Sequence, residues 1–109
     1  MTALHDRTSR PLPTGPPALS ADDTAKLLEE LGNSWSVFEN RLRKQYTFPN
    51  FASGLAFVNK VGAIADEQDH HPDVMLSYGH VVIELWTHTV GGLSENDFIC
   101  AARFDRANV

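Results

Sequence analysis

Asp66-Glu67-Gln68-Asp69-His70-His71-Pro72-Asp73 is the stretch in which the chain changes its period. Before it, Phe51, Leu55, Val58, Val61, Ile64 and Ala65, widened by Phe57, recur at helical spacing. After it come Val74-Met75-Leu76-Ser77-Tyr78 and Val81-Val82-Ile83-Glu84-Leu85-Trp86-Thr87, joined around Gly79-His80, with the β-branched content of a hairpin. A helix from about Phe51 to Asp69 is therefore predicted to stop before Pro72 and give way to two strands, with Val81, Ile83 and Leu85 facing the core. Asn50 can cap this helix. Gly54 and Gly62 cost it some stability, and a close approach of helix to sheet is the expected reason for both.

Upstream of the central helix, Trp35 and Val37, then Leu42, Tyr46 and Phe48, alternate with polar residues on either side of Glu39-Asn40. Residues 35–48 read as a β-hairpin. Lys44 falls on the apolar face of that alternation, where a position near a sheet edge would let its long stem reach water. Ser20, with Asp22 and Asp23, opens a helix over Ala21 to Leu31, carried by Leu27, Leu28 and Leu31 and stopped by Gly32-Asn33. Downstream, Gly91-Gly92 reads as a loop, and Ser94 with Asp97 forms a capping box for a final helix containing Phe98, Ile99, Ala102 and Phe104. The order is α-β-β-α-β-β-α. It predicts an α+β fold, a four-stranded antiparallel sheet with helices packed on one face.

The chain has 109 residues, enough for a single domain over residues 19–109. Residues 1–18 are marked by Pro11, Pro13, Pro16 and Pro17 and few large apolar groups; this segment is expected to be a disordered tail, and His5 within it is set aside. The net charge of −5 and the absence of a basic cluster longer than Arg41-Leu42-Arg43-Lys44 argue against a nucleic-acid partner or an anionic membrane. No apolar run approaches the ~18 residues of a membrane span. With no hydrophobic signal core at the N-terminus, a cytoplasmic location is expected. The lone Cys100 follows Phe98-Ile99 and precedes two alanines, which reads as a buried helical thiol.

Of the five histidines, four lie between residues 70 and 88. Imidazole is the side chain whose ordinary titration range spans neutrality, hence the usual proton carrier. Asp66 and His70 are four apart, on one face of the helix if its last turn stays regular, so Asp66 is expected to orient His70. His70 can equally be a favourable cap to the helix dipole. His71, adjacent to His70 and held extended by Pro72, leaves in another direction. His88 follows the most β-like segment, and alternation places it with Val82, Glu84 and Trp86, unless the strand ends at Thr87. Asp97 is first a capping residue, and His80 a turn residue. A zinc site would have to draw on His70 or His71, His88 and a carboxylate, but no His-x-x-x-His or Cys pairing supports it, so no metal is expected.

The combination Asp69-His70-His71-Pro72, Tyr78, Val81-x-Ile83-x-Leu85, Thr87-His88 and Gly92-Leu93-Ser94 followed by Asp97 resembles the pterin-4a-carbinolamine dehydratases, also known in animals as dimerisation cofactors of a homeodomain transcription factor. Trp35 and Lys44-Gln45-Tyr46-x-Phe48 are similar to the family's first hairpin, and the likeness covers about residues 20–105. It implies dehydration of 4a-hydroxytetrahydropterin to quinonoid dihydropterin, in recycling of the tetrahydrobiopterin used by aromatic amino acid hydroxylases. It also implies a homodimer or homotetramer, and a pterin that is the substrate rather than a cofactor. The site residues carried over are His70, His71, His88 and Asp97. His70 and His88 are expected to be the acid/base pair, with His71 positioning or sharing that work and Asp97 orienting a histidine or binding the pterin. Two departures are Asp66, where the family usually has Glu, and Val74, where it often has an aromatic. A non-catalytic pterin-fold assembly or regulatory partner is the alternative.

Overall fold

The computed structural model describes residues 3–9 and 18–108. Its main elements are α1 (Ala21–Leu31), β1 (Ser36–Phe38), β2 (Arg41–Thr47), α2 (Phe51–Gln68), β3 (Asp73–Ser77), β4 (His80–Leu85) and α3 (Glu95–Ala107). The strands form one antiparallel sheet in the order β1-β2-β4-β3. The α-β-β-α-β-β-α order and the antiparallel sheet are those the sequence predicts. No described helix is long and apolar enough to cross a membrane.

Local chemistry sets the element ends. Ser20 Oγ accepts the Asp23 N–H at 3.1 Å, and Asn50 Oδ1 accepts the Ser53 N–H at 2.8 Å, each satisfying a donor that the first helical turn cannot. Glu39 and Asn40 both have positive φ, 50° and 62°, so the first hairpin closes with a two-residue turn whose twist matches its strands.

One face of the sheet carries the core. Leu42 and Tyr46 of β2 and Val81, Ile83 and Leu85 of β4 are buried there with Phe57 and Val61 of α2 and Phe98, Ile99 and Phe104 of α3. The opposite face presents Arg43, Glu84 and Asp73 in one cross-strand row and Gln45, Val82 and Met75 in the next. Helix α3 is buried over nearly its whole first half, including its polar residues Asn96 and Asp97.

Several expectations need correction. Gly54 does sit in a close helix–sheet contact, since a Cβ there would stand 3.1 Å from Leu76 Cδ1. Gly62 does not: it faces open space. Phe51 and Leu55 fall outside the buried stripe of α2 and are exposed. Within the expected disordered tail, residues 3–9 are packed: Leu4–Asp6 make a 3-10 turn, and Leu4 belongs to the core. Residues 10–17 of that tail lie outside the described residues.

β1 pairs β2 only over Arg41–Arg43, so Lys44 lies just past that ladder and its strand is bonded there to β4 alone. The Lys44 stem nevertheless does not reach into water. Its ammonium lies 2.8 Å from Asp105 Oδ1 and 4.5 Å from the centroid of the Tyr46 ring. Asp105 also accepts the Tyr46 hydroxyl at 2.6 Å and the Trp35 indole N–H at 2.9 Å. Burial, and then the hydrogen bond and charge of Asp105, push the Tyr46 hydroxyl above its ordinary titration range. Removing the carboxylate would strand a cation and two buried donors. Asp105→Ala should therefore lower unfolding free energy by about 3 kcal/mol in urea titrations.

Burial, with the nearby Asp97 charge, pushes the Cys100 thiol from 9.0 up to about 12. The folded state thus retains this proton where the unfolded chain loses it. Stability should fall as pH rises through the interval from 9.0 to about 12. Cys100→Ala should flatten part of that slope, and the native thiol should resist a disulfide reagent at pH ~8 until denaturant is added.

Candidate active site

Helix α2 ends at Gln68, and Asp69 adopts the left-handed conformation, φ 50° and ψ 44°. The His70 N–H then returns to the Ala65 carbonyl at 3.1 Å, closing the helix end. This reversal removes His70 from the helical progression and turns its ring towards the N-terminus of α3. His70 Nε2 lies 2.6 Å from Asp97 Oδ1. Asp97 is completely buried, and the His70 side chain is 12% exposed.

The second oxygen of Asp97 is equally engaged. Asp97 Oδ2 accepts the Thr87 hydroxyl at 2.9 Å and the Ser94 N–H at 3.0 Å, while Thr87 Oγ1 and Ser94 Oγ share a hydrogen bond of 2.7 Å. Ser94 and Asp97 close the predicted capping box, and the N-terminus of α3 favours the negative charge placed there. Thr87 is held in turn by its backbone, which pairs with Gly92 beyond β4. One carboxylate thereby joins the end of α2, the end of β4 and the start of α3.

Asp66 does not orient His70. Asp66 Oδ1 stands 2.9 Å from His71 Nε2 instead, and both side chains are largely exposed. The left-handed Asp69 is the reason: the i, i+4 relation assumed for Asp66 and His70 requires the last turn to continue, and it does not.

His88 lies beyond β4, which ends at Leu85, and opens a 3-10 turn over His88–Val90. Thr87 and His88 diverge, the former inward to Asp97 and the latter outward. The exposed His88 ring lies against Trp86, with centroids 4.2 Å apart and planes inclined by 48°. Arg41 covers Trp86, its Cζ 4.6 Å from the ring centroid, and is anchored by Glu84 at 3.0 Å. The structure therefore brings His70 and Asp97 into direct contact, pairs His71 with Asp66, and connects His88 to the first pair through the neighbouring Thr87. Arg41 and Trp86 were not singled out by sequence reasoning. The signal for Trp86 was the same alternation that placed it on one side with His88.

The model of the family described as pterin 4 alpha carbinolamine dehydratase matches residues 17–107. The chain belongs to this family. A relative from Rickettsia canadensis is 45% identical over 106 residues, covering 96% of this chain and 97% of its own length. One from Nitrosomonas eutropha is 42% identical over 102 residues, covering 94% and 90%. Both are provisionally named pterin-4-alpha-carbinolamine dehydratase. Among solved structures, a transcriptional coactivator/pterin dehydratase from Brucella melitensis shares the fold, with a TM-score of 0.80 at 22% identity over 84% of this chain and 99% of that one. A pterin dehydratase-like protein described as a RuBisCO assembly factor in the alpha-carboxysome has a TM-score of 0.61 at 27% identity, covering 72% and 93%.

The two carboxylates should separate cleanly on mutation. Asp97→Ala leaves buried donors unmet and should cost about 2–3 kcal/mol of unfolding free energy. Asp66→Ala breaks only a solvated pair and should change it by less than about 0.5 kcal/mol. Urea denaturation of both variants checks this.

Proposed function

We propose that this chain is a 4a-hydroxytetrahydropterin dehydratase, using histidine acid/base catalysis to form quinonoid dihydropterin. The observation that carries the proposal is the His70–Asp97 pair, a partly accessible imidazole held at 2.6 Å by a buried carboxylate. Membership in the family and the provisional names of the relatives support the substrate class.

The chemistry asks little beyond proton transfer. A proton delivered to the 4a-hydroxyl lets the C4a–O bond break with water leaving, and a proton removed from the pterin ring nitrogen completes the elimination. No net oxidation occurs, so the pterin is substrate and no separate cofactor is called for. Asp97 fixes the tilt of the His70 ring, and Trp86, covered by Arg41, supports the exposed His88 ring. We assign His70 and His88 as the acid/base pair. His71, held by Asp66, positions the pterin or shares the proton transfer. A positioned group of this kind contributes about 10²–10⁴-fold.

We place the enzyme in the cytoplasm, in recycling of tetrahydrobiopterin for aromatic amino acid hydroxylation, and as a homodimer or homotetramer. Exposed apolar groups support self-association: Val74 and Met75 on the edge strand β3, and Phe51 and Leu55 on the outer side of α2. A second reading, a non-catalytic assembly partner, is favoured by one observation, the likeness to the pterin dehydratase-like RuBisCO assembly factor.

The decay of 4a-hydroxytetrahydropterin, followed with and without the protein, decides between them. The enzyme reading requires acceleration beyond buffer, and it requires His70→Ala and His88→Ala each to lower kcat by about 10²-fold while the fold persists. A rate equal to buffer would leave the assembly reading. Wild-type turnover in both variants would remove these histidines from the mechanism.

A further inference from the structure

The His70–Asp97 pair is assembled from two helices, so its geometry depends on how the end of α2 sits against α3. A third segment ties these helices together at that end. Leu4 is buried in the core, and the 3-10 turn it begins packs on α3. The following carbonyl, that of Arg7, accepts two hydrogen bonds from one α3 side chain, from Arg103 Nε at 3.0 Å and from Nη2 at 2.5 Å. Arg103 Nη1 also approaches Glu67 of α2 at 3.5 Å.

Two residues further on, Ser9 grips the last residue of α2 twice. The Ser9 N–H donates to Gln68 Oε1 at 2.8 Å, and the Ser9 hydroxyl donates to the Gln68 carbonyl. That carbonyl is one of the helix-end acceptors that lack an intrahelical partner. Gln68 is a polar side chain, yet only 6% exposed. A burial of this kind needs a hydrogen-bond partner, and Ser9 supplies it. Asp69 and His70 come next in the chain.

We propose that residues Leu4–Ser9 form a positioning arm for the His70–Asp97 pair, with Ser9 and Gln68 as its positioning residues. The arm runs from the body of α3 to the final residue of α2, two positions before His70, and fixes the helix end from which the ring departs. A simple helix cap would need only the bond to the Gln68 carbonyl. The second bond, to the buried amide, fixes the rotation of the helix end as well as its position. A misplacement of the ring against its partner by a fraction of an ångström is enough to be felt in turnover. The kinetic part of this proposal rests on the dehydratase reading; the structural part does not.

Ser9→Pro removes both donors, Ser9→Ala removes the hydroxyl alone, and Ser9→Thr retains both. In the full-length protein, Ser9→Pro should lower kcat about tenfold with KM changed by less than about twofold, and Ser9→Ala should fall between it and wild type. Ser9→Thr should restore turnover. The ring ¹⁵N chemical shifts of His70 should move in Ser9→Pro and stay in Ser9→Thr, while those of His80 stay in both. Circular dichroism at the assay temperature confirms folding; if Ser9→Pro does not fold, Ser9→Ala carries the same comparison. Wild-type His70 shifts in the folded variant would overturn the arm. Shifted His70 signals with wild-type turnover would sustain the structural arm and overturn its kinetic role. A wild-type rate equal to buffer would instead overturn the dehydratase reading and leave the arm to stand or fall on the His70 shifts.

Discussion

The arrangement at this end of the molecule depends on a buried carboxylate. Asp97 is wholly removed from solvent, a condition that is costly unless every lone pair is answered. Its answers come from elements distant in sequence: the Thr87 hydroxyl after β4, the Ser94 N–H at the start of α3, and the His70 ring after α2. Each partner stands where it does because its own backbone is constrained, by the Thr87–Gly92 bridge, by the helix cap and by the left-handed Asp69. The desolvated carboxylate thus turns a capping residue into the hub of the site.

Helix α3 repeats the device at its other end with a different result. Asp105 gathers Trp35, Lys44 and Tyr46 as Asp97 gathers Thr87, Ser94 and His70. Both carboxylates fasten α3 to the sheet, Asp105 through β2 and Asp97 through the end of β4. The difference lies in what they hold. Asp105 faces a lysine ammonium and binds a phenol whose proton it helps to retain. Asp97 holds an imidazole that is partly open to water. Two enclosed acids on one helix therefore fasten the fold at one end and, in the proposed dehydratase, orient a proton carrier at the other.

Much of this was legible in the residues. Periodicity, caps and turn residues determine the order of elements, because they are local properties, and the Ser94–Asp97 box could be read from spacing alone. The partner of His70 could not. Asp66 was the reasonable choice while the helix was assumed regular, and a single left-handed residue, Asp69, redirected the ring to a carboxylate 27 positions away. Lys44 shows a related limit: alternation assigns it to the core face but does not say which acid it meets there, and its ammonium turns to Asp105 of α3 rather than to water. The arm shows another. Composition argued for disorder, whereas Leu4 and Ser9 gain order from a core and a helix end formed by other segments.

The two histidines proposed for proton transfer are restrained by unlike means, and this division has a physical consequence. His70 is oriented by a directional hydrogen bond to a dry carboxylate, which fixes both the ring and the nitrogen that faces Asp97. His88 is exposed and leans at a tilt against Trp86, which is itself covered by Arg41. A ring contact limits the plane of an imidazole but leaves both nitrogens free to meet solvent or substrate. One histidine is therefore committed to a single geometry before a pterin arrives, while the other keeps access to bulk protons. An elimination that must give one proton and take another in each cycle needs a group in contact with solvent to reset the pair. The exposed position of His88 suits that task better than the enclosed position of His70.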